Sequence, residues 1–240
     1  MKLTKRFVYI IYHIRCYIAD TDLESFIMDD LREFTESSLI KTPTMTTWVY
    51  FDHRNYGTSV DSHEQHHNDD DGMHSEAGDI IEPMPFVYNK DGSSQTGEKP
   101  QGSFYFKQDH SLGKLVIEED LGELNGDSPE TVLNFVNHAL ADCIANEAEE
   151  YMIVFSSHGG GFEGFGTDDH PGRLLYQTNS NITGALRSAL DSNLGEEYKF
   201  DVIGFDACLM QSFNAADDYS AVGQYYLASE EIEPGHGMSI

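Results

Sequence analysis

Short apolar runs alternate along this chain with segments of helical period, and that alternation limits the fold more than any other feature. Strands separated by helices are joined by crossovers, and crossovers build a mostly parallel sheet flanked by helices, an α/β architecture. The strand candidates are Phe7 to Ile18, Thr47 to Phe51, Met152 to Phe155, Phe200 to Phe205 and Tyr225 to Ala228. A hairpin pairs Phe104 to Phe106 with Lys114 to Ile117 across the polar turn Gln108 to Gly113. Leu23, Phe26, Ile27, Leu31 and Phe34 recur at helical spacing, behind Thr21 as cap and Glu24 in the capping-box position. Val132, Phe135, Val136, Ala139, Leu140, Cys143 and Ile144 give a second helix one apolar face. Asp127 is placed to cap it, with Pro129 in its first turn and Glu130 completing the box. Ile182, Leu186 and Leu190 mark a third helix, and Met210 to Tyr219 a fourth.

The 240 residues suit one domain, residues 1–240, interrupted by a polar stretch at 53–102 that is rich in Asp, His, Gly and Ser. No period survives there except around Pro85-Phe86-Val87-Tyr88, so it is read as an acidic insertion, disordered in part. Lys2, Lys5 and Arg6 precede an apolar run, as in an export leader, but His13 and Arg15 interrupt it and no small-residue cleavage site follows. The run is therefore read as a strand. No stretch is long and apolar enough to span a bilayer. With 14 Lys and Arg against 42 Asp and Glu, the net charge is −28. Such a chain repels phosphate backbones and anionic lipid surfaces, which excludes nucleic-acid and membrane partners and favours cationic ones. Cys16, Cys143 and Cys208 are too few and too irregularly spaced for a disulfide framework and read as free thiols. Nothing in the residues selects a compartment, cytoplasmic or secreted, or an oligomeric state.

Two strand ends carry chemistry. The first strand closes on Phe155-Ser156-Ser157-His158-Gly159-Gly160-Gly161, the second on Ile203-Gly204-Phe205-Asp206-Ala207-Cys208-Leu209-Met210. Sheets of this class place their sites beyond the carboxyl ends of the strands. Glycines let a substrate backbone approach closely. A thiol ahead of a helix N-terminus and beside an imidazole is poised as a nucleophile, with the imidazole able to protonate a leaving amine. Each residue also has a bland reading: a polar loop histidine, a small buried cysteine.

These stretches resemble the clostripain family of cysteine peptidases, relatives of caspases, gingipains, legumains and separases. The resemblance runs, in the family's order, through Tyr17-Ile18-Ala19-Asp20 into Asp22-Leu23-Glu24, Gly122-Glu123-Leu124-Asn125-Gly126-Asp127, His158-Gly159-Gly160-Gly161, Phe205-Asp206-Ala207-Cys208-Leu209-Met210, and Ala228-Ser229-Glu230-Glu231 with Glu233-Pro234-Gly235. It implies a caspase-like fold, a sandwich with a mostly parallel central sheet flanked by helices. It also implies a cysteine endopeptidase that cleaves after Arg or Lys through a dyad, with Cys208 as nucleophile and His158 as its partner. Backbone amides of Gly159 and Cys208 would receive the oxyanion. Asp206 would lie beneath the pocket for the basic residue, where a carboxylate facing a long cation has a clear physical role. Ser229, Glu230 and Glu231 would add to the substrate-binding rim. No cofactor is required on this reading. Calcium, to which several relatives respond, is kept as an ion without assigned ligands, and the partners are peptides or proteins with basic residues.

The chain departs from the family pattern at Met238, Phe162 and Asn214, where tryptophan, tryptophan and glutamate are usual, and it stops at Ile240, where members continue. These departures motivate a second reading, a C-terminally incomplete or inactive caspase-like binding module. A third is a metallohydrolase. His63-Glu64-Gln65-His66-His67 satisfies a zinc-peptidase pattern, but its flanks lack the apolar period of a buried helix, so a solvated loop with loose metal affinity from His63, His66, His67 and His74 is expected. The Asp69 to Gly72 run fails the spacing of a calcium-binding EF-hand loop. Lys90, Lys99, Lys107 and Arg173 are candidate self-cleavage positions.

Overall fold

The structure is a computed structural model that describes residues 11–18, 23–53, 87–88, 102–168 and 176–234. Strands β1 (Ile11–Ile18), β2 (Met45–His53), β3 (Val87–Tyr88), β4 (Gly102–Asp109), β5 (Lys114–Gly122), β6 (Glu150–Ser156), β7 (Phe200–Asp206) and β8 (Gly223–Leu227) form one sheet. Helices α1 (Glu24–Glu36), α2 (Pro129–Ala145), α3 (Asn179–Asn193) and α4 (Phe213–Tyr219) accompany it. The strand order is β3-β5-β4-β2-β1-β6-β7-β8. The run β2-β1-β6-β7-β8 is parallel, while the hairpin β4–β5 joins β2 antiparallel and β3 lies parallel to β5. From β1 the chain goes first to β2 on one side, and later to β6 on the other. Such a reversal opens a crevice beyond the carboxyl ends of the two neighbours.

Period-two alternation sorts the side chains into two cores. In β2, Trp48 and Tyr50 enter a cluster with Phe135, Val136, Leu140, Leu186 and Leu190, beneath α2 and α3. Val49 and Phe51 enter the opposite cluster with Ile27, Leu31 and Phe34 of α1, and Phe104 and Phe106 of β4 join it. The cap of α2 is Ser128, whose hydroxyl accepts from the Glu130 amide, and not Asp127, which lies one residue earlier and is fully buried. A serine cap contributes about 1 kcal/mol, against roughly 2–3 kcal/mol for each fully buried phenylalanine, so packing outweighs the cap. At α1 the N-cap is Leu23, with no side-chain cap bond, and Thr21 lies outside the described residues.

Lys107 drops out of the self-cleavage candidates. It sits inside β4, paired to Trp48 and Val116. Its ammonium lies 2.8 Å from the Asp142 carboxylate of α2 and over the Trp48 ring, and the Trp48 indole N–H donates to the same carboxylate at 3.0 Å. Lys90, Lys99, Arg173, His63, His66, His67, His74 and Asp69 to Gly72 lie outside the described residues, while His53, the first residue of the polar stretch, ends β2. Among the described residues, no helix is long and apolar enough to cross a membrane.

Candidate active site

The register of β6 on β7 brings the two chemistry-bearing loops together. Ser156 is the residue of β6 opposite Asp206 of β7, and each strand ends there. Two residues beyond that pair stand His158 on one chain and Cys208 on the other, so parallel pairing sets them at the same height on adjacent strand ends. The loops then interlock backbone to backbone. A Cβ on Gly159 would lie 2.3 Å from the Cys208 carbonyl oxygen and 3.1 Å from the Ala207 Cβ, which only glycine avoids. Gly161, at φ +62°, would meet the Leu209 carbonyl oxygen at 2.9 Å. The histidine loop closes on itself, with the Gly166 amide donating to the His158 carbonyl and the Gly160 amide to that of Gly164, both at 2.9 Å.

Beyond Cys208 the chain does not enter the helix directly. Leu209 has φ +62°, a conformation that costs a branched side chain energy. The segment is pinned to the strap after β8: the Leu209 amide donates to the Glu231 carbonyl at 3.0 Å and the Gln211 amide to that of Ser229 at 2.7 Å. The Tyr226 hydroxyl donates to the Met210 carbonyl at 2.7 Å. Helix α4 therefore starts at Phe213 instead of Met210, and its own cap, Ser212, accepts the Ala215 amide. The donor that reaches the sulfur is not an α4 amide but the backbone N–H of Glu233, 3.3 Å from Sγ. The thiol in turn faces the Glu233 carbonyl at 4.0 Å.

His158, Asp206 and Cys208 line one cavity of about 320 Å³, walled by Leu23, Phe26 and Asp30 of α1 and by Ile232, Glu233 and Pro234 of the strap. Ser229, Glu230 and Glu231 stand outside that lining. Ser229 and Glu231 bond to each other and shape the strap, and both glutamates are exposed. Glu233 is the strap's acid inside the cavity. Burial lifts its carboxyl to about 7, the charge of Asp206 and a hydrogen bond with it adding to the rise; the Ala207 amide and the Ser229 hydroxyl oppose it. Tyr176 covers the other flank: a Cβ on Gly160 would lie 2.6 Å from its ring. Its phenol is raised by burial and by the nearby Cys208 and Glu163 charges.

Sequence reasoning did not single out Asp30, Tyr176 or the Glu233 side chain. Only Glu233 carried a signal, its place before Pro234 in a family motif. Phe162 and Asn214 are exposed, and Met238 lies outside the described residues. Among the described residues, no group of three or more His, Cys, Asp and Glu could hold a metal ion, so no calcium ligand set is assigned.

The sequence pattern of the clostripain family matches residues 16–239. None of the curated proteins compared matches the chain. Among solved structures it is similar to a secreted C11 cysteine protease from Bacteroides thetaiotaomicron in complex with an irreversible peptide inhibitor. That likeness has 18% identity, covers 94% of this chain and 50% of the other, and has a TM-score of 0.62. An inactive zymogen C11 protease from Parabacteroides distasonis shares 16% identity over 95% of this chain and 51% of its own, at a TM-score of 0.58. The secreted C11 cysteine protease "iotapain" from Bacteroides thetaiotaomicron shares 14% over 96% and 55%, also at 0.58. These likenesses show the fold, which is caspase-like, and the chain spans about half the length of the structures it matches.

Proposed function

This chain belongs to the clostripain family, and from that premise we propose that it is a cysteine endopeptidase cleaving after Arg or Lys, with Cys208 and His158 as its dyad. The single observation that supports this most is the Ser156–Asp206 register pair, which sets the imidazole and the thiol on adjacent strand ends over one acidic cavity. In the scheme, the Cys208 thiolate adds to the carbonyl carbon of the basic residue. The oxyanion takes hydrogen bonds from the Gly159 and Cys208 amides, fixed dipoles of the kind such intermediates need. The C–N bond breaks as His158 protonates the departing amine. His158 then takes a proton from water, the hydroxide adds to the thioester, and cleavage of the C–S bond returns the thiolate. Asp206 receives the basic side chain, and the Glu233 backbone N–H steadies the sulfur.

An arginyl chloromethyl ketone tests this reading. Stoichiometric labelling at Cys208, abolished in Cys208→Ala, together with hydrolysis of an Arg peptide faster than its citrulline analogue, is expected. Folded protein without labelling or turnover selects the non-catalytic binding module instead.

A further inference from the structure

We propose that Tyr176 is a positioning residue for the oxyanion amide: its ring, pressed against Gly160 from outside the cavity, braces the Gly159–Gly160 backbone against the cysteine loop. The inference rests on the reading that Cys208 and His158 form the dyad.

The histidine loop is a small antiparallel meander in which Gly159 bridges Phe165 and Phe165 bridges Gln177. The bonds beside the first bridge run from the Gly166 amide to the His158 carbonyl and from the Gly160 amide to the Gly164 carbonyl. They flank Gly159 without using it, so Gly159 is a non-hydrogen-bonded member of the ladder and its N–H points away from Phe165. The Gly160 N–H is already engaged inside the loop. Of these two amides, Gly159 is therefore the one an oxyanion can use. Its backbone is gripped from two directions. A Cβ on Gly159 would meet the Cys208 carbonyl oxygen at 2.3 Å, and one on Gly160 would meet the Tyr176 ring at 2.6 and 2.8 Å. Gly160 has a negative φ, −119°, so the ring, and not a left-handed backbone, keeps this position a glycine. The ring is itself anchored. Gln177, next in the chain, exchanges both backbone bonds with Phe165, at 3.0 and 3.1 Å. Phe165 is fully buried against Phe155 and Phe205, which pair between β6 and β7 just before Ser156 and Asp206. Tyr176 is thus held by the same two strands that carry the dyad. An amide stabilises a transient oxyanion only if it is in place before the charge develops. Without the ring, space opens behind Gly160 and the loop can retreat from the cysteine loop. The defect then falls where the oxyanion forms, and not where a basic side chain binds.

Two probes separate these effects, acetylated tetrapeptides ending in arginine aldehyde or in the corresponding alcohol, each competed against an Arg substrate. The aldehyde carbon bonds reversibly to the Cys208 sulfur, the thiol proton passing to the former carbonyl oxygen, which lies where the oxyanion forms. The alcohol has no carbonyl and reads peptide binding alone. Tyr176→Ala is expected to weaken the aldehyde about tenfold and the alcohol by less than about twofold. It lowers kcat on the Arg peptide by a similar factor, with KM little changed. Tyr176→Phe keeps the ring and restores both readings. Gly160→Ala presses on the contact from the other side. It gives the same selective loss in the unaltered background and a smaller one when added to Tyr176→Ala, where the methyl meets no ring. Equal weakening of aldehyde and alcohol, or of neither, in Tyr176→Ala with unchanged circular dichroism overturns the proposal and leaves the dyad reading standing. If Tyr176→Ala does not fold, Gly160→Ala alone decides by the same two probes. Absence of an aldehyde adduct at Cys208 in the unaltered chain removes the dyad reading, and this proposal with it.

Discussion

Cys143 and Cys208 are both free thiols, yet their surroundings differ at every level. Cys143 lies on the inner face of α2, fully buried in the cluster that includes Phe135, Leu140 and Leu186. Burial, and then the neighbouring Asp142 charge, push its thiol far above the usual range. No substrate reaches it, and its thiolate is suppressed. Cys208 is half-buried at a strand end, edging a cavity with a backbone N–H on its sulfur. Residue type is identical, so the difference comes from where the chain turns. A helix interior satisfies its own amides and excludes water, whereas a strand end leaves amides and space beside the side chain.

The widest way to break the contrast is to truncate each thiol. Cys208→Ala should lower turnover of an Arg peptide by at least about 10³-fold, since Cys208 is the proposed nucleophile. Cys143→Ala should leave kcat/KM within about twofold, because nothing on α2's inner face reaches the cavity. Comparable losses from both would mean that Cys208 acts only as packing. A smaller loss is expected from Gly159→Ala. Its added methyl must push against the Cys208 carbonyl, 2.3 Å away, and so shifts the amides proposed for the oxyanion. Loss of one such donor costs on the order of 10²-fold in kcat. Steady-state rates on a protein with unchanged circular dichroism check this, and a kcat near the parent value would show that the two loops have slack.

Much of this arrangement was legible in the residues, and the gaps have physical causes. The continuous apolar run Trp48-Val49-Tyr50-Phe51 and the helical recurrence from Val132 to Cys143 are local signals, and tertiary packing kept both, burying the run on two faces. The two strand-end loops could be named because each motif follows its own strand. Their proximity could not be read locally, because it depends on Ser156 pairing with Asp206, a register set by two strands far apart in the chain. The start of α4 failed for a related reason: Met210 fits a helical pattern, but the strap captures the Leu209 and Gln211 amides. Asp127 and Ser128 are both good caps, and only three-dimensional placement decided between them. Glu233 was hidden among Glu230, Glu231 and Glu233, since composition does not say which of three nearby glutamates turns inward.

The smallest effect sharpens the comparison from the side of stability. Cys143 is 0% exposed, so Cys143→Ala removes a sulfur from a close-packed cluster that recovers only part of the space. The cost is about 1–2 kcal/mol of unfolding free energy, read as a lower denaturant midpoint at unchanged slope. Cys208→Ala should move that midpoint far less, because its sulfur faces a cavity instead of packed neighbours. Alkylation provides an independent reading: at pH 8 iodoacetamide should modify Cys208 directly, but Cys143 only at the rate at which α2 opens. Equal alkylation rates at the two positions would show that the α2 face is loose, and burial would no longer be what separates the structural thiol from the chemical one.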